Sequence, residues 1–190
     1  MVEWALACVF SLSDDGVRAL RHDLDGKGDT MINNQHAFYG NALKEGPELE
    51  QLTRGFYRGL YKLLDEFDEQ LSDGVIEVGL RDWTSTLLGT ASTTAVLGPA
   101  MIERICPDIL TYVWQFDRDI FKFVFGLPRW VIPDAYKNRE RIIDAFEEYS
   151  QDPRNMEGAV PMITARDEQM RRVGMKVRDI GASIFTVVSG

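Results

Sequence analysis

Cysteine is scarce: two thiols, Cys8 and Cys106, stand far apart in a chain of 190 residues. With no CxxC pair they make neither a zinc site nor a disulfide framework, and the usage suits a reducing, intracellular compartment. Histidine is as rare. His22 and His36 have no HxxxH or HExxH partner, so no metal ligand is assigned. Basic charge is short as well: 21 Lys and Arg face 30 Asp and Glu, a formal net charge of −9. Such a chain lacks the basic face that neutralises phosphates, which argues against a nucleic-acid partner. It also disfavours polybasic docking on anionic lipid. No apolar run reaches the roughly 18–20 residues of a transmembrane segment. The opening Met1-Val-Glu-Trp-Ala-Leu-Ala-Cys8 carries no basic stretch and does not make a signal peptide. There is no GxSxG, P-loop or GxGxxG, and no catalytic residue is assigned. The acidic pairs Asp14-Asp15, Asp65-Glu66 and Glu147-Glu148 read as solvated faces or caps rather than a metal site.

What the chain has is helical periodicity. Hydrophobic residues make up 45% and charged residues 27%, the balance of a globular protein. Leu49, Leu52, Phe56, Leu60, Leu63 and Phe67 recur at three-four spacing after Pro47, with Glu48 and Glu50 in the first turn. The spacing and the Gly/Pro stops predict helices over 48–68, 82–97, 108–125, 134–150, 160–173 and 176–190. A short helix is expected within 2–10, and Ser13-Asp-Asp-Gly can cap another through about Leu24. The small residues from Gly89 to Ala95 suit close helix packing, and Gly98-Pro99 is a stop signal. Helix 134–150 reads as exposed, with Arg139, Glu140 and Arg141 on one side and Ile142, Ile143 and Phe146 on another. The aromatic stretch from Phe116 to Phe125 reads as core. Strand-like alternation is confined to Val75-Ile-Glu-Val78. The expected fold class is mainly α, organised as one domain over 1–190.

The last fifteen residues turn from charged to apolar. Asp179 suits a helix's first turn, where the macrodipole favours an anion. Ile180, Ile184, Val187 and Val188 then recur at helical spacing, with no cap or basic last turn behind them. The helix therefore reads as cut, which predicts that Ile180, Ile184, Phe185, Val187 and Val188 are partly exposed.

The order of four segments resembles the cytochrome P450 family of haem-thiolate monooxygenases, in the branch that includes cholesterol 7α-hydroxylase, prostacyclin synthase and many fungal members. Asn33 to Thr53 resembles the lead into helix C. Asp82-Trp-Thr-Ser-Thr-Leu-Leu-Gly-Thr-Ala-Ser-Thr-Thr-Ala-Val-Leu-Gly-Pro99 resembles that branch's "Trp, Ala-Thr, Phe-Gly-Pro" helix. Phe123-Val-Phe-Gly-Leu-Pro-Arg-Trp-Val-Ile-Pro133 and its sequel to Arg139 resemble the approach to helix F. Gly174 to Gly190 resembles the start of helix I. The resemblance implies a partial P450 fold, from about helix B to the start of helix I, without the haem-thiolate half. It implies a parent that binds haem, uses O2 and a reductase, and oxidises an apolar small molecule such as a sterol, lipid or secondary metabolite. The parent family is commonly associated with the endoplasmic reticulum membrane, and its anchor is absent from this stretch. Loop 25–46, region 127–162 and the start of helix I would line the substrate side. Phe185 and Val188 would touch substrate, and Ser189 and Gly190 would edge the oxygen groove. Neither cysteine has the family's Phe-x-x-Gly-x-x-x-Cys-x-Gly setting. Glu168-Gln-Met-Arg171 fits Glu-x-x-Arg by spacing but precedes helix I, and reads as chance. The competing expectation is a non-enzymatic helical interaction module, or an inactive pseudogene product.

Overall fold

The computed structural model describes residues 6–22, 30, 40, 43–71 and 74–188. These residues are mainly helical: α1 Asp14–Leu20, α2 Pro47–Leu71, α3 Leu80–Leu97, α4 Ile109–Val124, α5 Pro133–Gln151, α6 Pro161–Arg172 and α7 Val177–Val188. A π-helical turn, Met101–Ile105, follows α3, and a 3₁₀ turn, Pro153–Met156, follows α5. The ends of the six helices expected from apolar spacing fall within three residues of these bounds. Ser189 and Gly190 lie outside the described residues, as does most of loop 25–46.

Local chemistry explains the boundaries. Pro47, Pro133 and Pro161 open α2, α5 and α6, where the missing N–H costs nothing. Ser13 caps α1, its Oγ accepting from the Gly16 N–H at 3.0 Å. Gly98 ends α3 with φ +78°, and a Cβ there would lie 2.4 Å from the Glu157 carbonyl oxygen. Only glycine fits on both counts. Residues 75–78 form no strand; Val75 is fully exposed, and no described strand lies alongside to take its ladder bonds.

The centre of the fold is the pairing of α5 with α7, the largest helix interface; α2 against α3 is the next. Gly181 makes the first pairing possible. A Cβ on it would stand 2.7 Å from the Glu147 amide nitrogen, so the two backbones touch there. Around that crossing Phe185 meets Phe116 at 5.0 Å, Phe146 at 5.5 Å and Phe10 at 5.6 Å, ring centre to ring centre. In the second pairing Gly55 and Gly59 of α2 lie against Ala95 and Ala91 of α3, as the small residues of α3 suggest.

Two expectations need correction, and a third, Asp179 in the first turn of α7, holds and is extended. Helix 134–150 is not a surface helix: Ile142, Ile143 and Phe146 are buried and so is Arg139, because α4 and α7 both pack against α5. The Arg139 guanidinium lies 4.9 Å from the Phe123 ring centre and 4.7 Å from that of Tyr136, and donates to the Cys8 carbonyl at 2.7 Å. The apolar residues of α7 are not left uncovered. Ile180, Ile184 and Phe185 have no exposed surface and Val187 is buried; only Val188 is half-buried. Finally, Asp179 does more than complement a dipole. It is buried, and accepts from the Ser13 N–H at 2.8 Å and the Ser13 hydroxyl at 2.7 Å.

Next to it, Arg178 bridges Glu140, Asp144 and Glu147 of α5 at 2.6–2.8 Å. Burial opposes its charge, yet the hydrogen bonds to Asp144 and Glu147 outweigh that and hold the guanidinium above its ordinary pKa. Glu168 and Arg171 do not pair with each other. Glu168 meets Arg172, and Arg171 meets Asp167 and the Ser150 carbonyl.

Candidate functional site

Where the start of α2, the middle of α3, the start of α4, the start of α6 and the end of α7 converge, they leave a cavity of about 360 Å³. That volume is at the small end of the range for small-molecule sites, roughly 300–1,000 Å³. Its walls are apolar: Leu52 from α2, Val96 and Leu97 from α3, Ile109 and Val113 from α4, Phe146 behind them, and Val187 and Val188 from α7. Val160 and Met162 close one side. Gly89 lets α4 approach α3, since a Cβ there would meet Leu110 at 3.3 Å and Trp114 at 3.4 Å. The polar groups are few: Ser92, Thr93 and Glu48.

Val188 lines this cavity. Phe185 does not; it sits one turn earlier on the same helix, within the aromatic cluster that fixes α7 against α5. Ser189 and Gly190 lie outside the described residues. Leu43, Phe146 and Val160 belong to the segments expected on the substrate side. The contribution of α3 and α4 was not legible in the sequence. Ile109 and Val113 sit on a regular apolar stripe, and periodicity cannot tell a stripe that packs from one that faces a void.

Among the described residues no group of His, Cys, Asp and Glu is placed to hold a metal ion. A haem thiolate needs a thiol with a depressed pKa or an electropositive setting. Cys106 has the reverse: burial pushes its thiol up, more than the backbone hydrogen bond from Asp108 lowers it. Cys8 offers its carbonyl to Arg139. The described residues therefore do not fit a haem-thiolate ligand set, and the walls of the cavity are of a kind that suits an apolar molecule. No described helix is long and apolar enough to cross a membrane.

A second feature lies at the far end of α4. Phe121, Phe125 and Trp130 are 66%, 78% and 83% exposed, and Val124 and Val131 are exposed beside them. They fall at the end of α4 and in the connection to α5.

Among the described residues a helical arrangement surrounds an apolar cavity, and that alone names no family. Comparison with known proteins goes further. Over 119 residues the chain is 25% identical to a cytochrome P450 monooxygenase, calL, of Penicillium decumbens. The matched stretch is 63% of this chain and 22% of that protein, so the chain spans a minor part of its relative's length. The similarity is distant and reaches the P450 group, not a branch of it. No family model matches the chain, and no solved structure matches it.

Proposed function

We propose that this chain is the substrate-facing helical part of a haem-dependent monooxygenase of the P450 type, and that its own contribution is to bind an apolar small molecule. The observation that carries this reading is the apolar cavity at the end of α7, taken with the similarity to the fungal monooxygenase. In this reading Val188 contacts the ligand, and Phe185 holds α7 in place behind it. Ser189 and Gly190, outside the described residues, would by the family resemblance edge the oxygen groove. Haem would supply the oxidising chemistry when bound by a thiolate from another part of the parent, with electrons from a reductase. The branch containing cholesterol 7α-hydroxylase, prostacyclin synthase and fungal members remains the expected affiliation, as one domain over 1–190, inside the cell and associated with the endoplasmic reticulum.

Sequencing the encoding transcript beyond the codon for Gly190 tests this. An open frame with a Glu-x-x-Arg and a cysteine loop supports the reading; a stop codon with no remnant of either overturns it. The exposure of Phe121, Phe125 and Trp130, close together in the chain, favours a second reading, a helical interaction module, because exposed apolar surface can mark contact sites.

A further inference from the structure

The cavity's charge is concentrated at one residue. Glu48 is the charged side chain among the described residues that line it. Its neighbour Glu50 is engaged by Arg54 through an ion pair, whereas Glu48 has no ion pair or hydrogen bond to any described residue. Glu48 stands in the first turn of α2, whose N-terminal end carries about half a positive charge. Pro47 contributes no N–H there, and a full carboxylate outweighs the remainder, so the field at the mouth is negative. Beyond Glu48 the walls are mostly aliphatic and aromatic, with no cation among the described lining residues to receive an anionic head group.

Taking the cavity as the ligand site, as proposed above, we infer that it selects neutral or cationic apolar molecules, such as alcohols and amines, and discriminates against carboxylates because Glu48 guards its mouth. The volume of about 360 Å³ corresponds to roughly a dozen water-sized volumes. It suits a compact aliphatic or terpenoid-sized body with one polar end. In this inference the polar end meets Glu48, and the apolar walls, Val187 and Val188 among them, take the rest.

The test is calorimetric titration of the full 190-residue chain with decanol, decylamine and decanoate at low and high salt. Decanol and decylamine are expected to bind, with decanoate about fivefold weaker at low salt and the gap shrinking as salt screens the mouth. Glu48→Gln should close the gap. Glu50→Gln removes the same unit of net charge from the same helix, so it separates the effect of the mouth from that of the whole acidic protein, and it should leave the gap in place. Decanoate binding as tightly as decanol, or a gap that survives Glu48→Gln, overturns the head-group selection while leaving the cavity as a ligand site. If none of the three binds, or if binding persists in both Val96→Phe and Val188→Phe, which fill the cavity from α3 and from α7, the ligand-site reading itself falls and this inference falls with it.

Discussion

The α5–α7 pair and the α2–α3 pair are both close-packed through small residues, but they differ in how much depends on each contact. At Gly181 the backbones meet so tightly that even a methyl group has no room, and every residue of α7 from Asp179 to Val187 is buried. In α2 no residue is fully buried, and a Cβ on Gly59 would sit 3.5 Å from the Ala91 Cα, an ordinary contact. Glycine is thus a steric necessity in one pair and a mere convenience in the other. Sequence spacing alone cannot tell the two apart.

The largest expected effect comes from emptying the first region. Phe185→Ala removes the ring that joins Phe10, Phe116 and Phe146, and should cost about 3–5 kcal/mol. Thermal unfolding would show it as a drop of roughly 2–4 °C per kcal/mol. A loss below about 1 kcal/mol would mean that the cluster is loosely packed.

Placing the same substitution in each pair sharpens the contrast. Gly181→Ala should destabilise by about 2–3 kcal/mol, because the added methyl drives α7 off the backbone at Phe146 and Glu147. Gly59→Ala should stabilise by about 0.5–1 kcal/mol, since the methyl fits and alanine favours a helix interior. Denaturant titration of both variants reads the signs directly. Equal signs would erase the distinction between the pairs.

Helix positions were legible in the sequence because they follow from spacing and from Gly and Pro punctuation. Partnership was not. Arg139 looked solvent-facing because a charged triplet usually is; its guanidinium instead meets Phe123 of α4 and Tyr136, one turn earlier on its own helix. The covering of Ile180, Ile184 and Phe185 likewise depends on α5, which periodicity made an exposed helix. Of the site, Val188 and the segments holding Leu43 and Val160 could be named in advance only through family resemblance. Glu48 was visible merely as an acidic residue in a helix's first turn. Its place at the edge of a cavity is a property of six helices together.

The smallest effect belongs to the surface between these regions. Asp152 accepts from the Arg154 side chain and backbone, which lowers its pKa to about 2 from an ordinary 3.8. A depressed folded pKa means that the contribution is present above the unfolded value and is lost as pH falls through the folded one. Asp152→Asn should therefore lower the melting temperature slightly near pH 5–7, and the difference from the parent chain should vanish as pH approaches 2. A difference that grew on acidification would assign the effect to another group.

The bond from Ser13 to Asp179 links positions 166 residues apart. On a ribosome adding about 5–20 residues per second, the segment around Ser13 emerges roughly 8 to 33 s before its carboxylate partner exists. Through that interval Val9, Leu12 and Leu20, which end up buried, must wait without α7. Their final seating is a late, long-range closure of the kind that slows folding, so a nascent chain stalled ahead of residue 179 should be a strong client for chaperones that recognise exposed apolar segments.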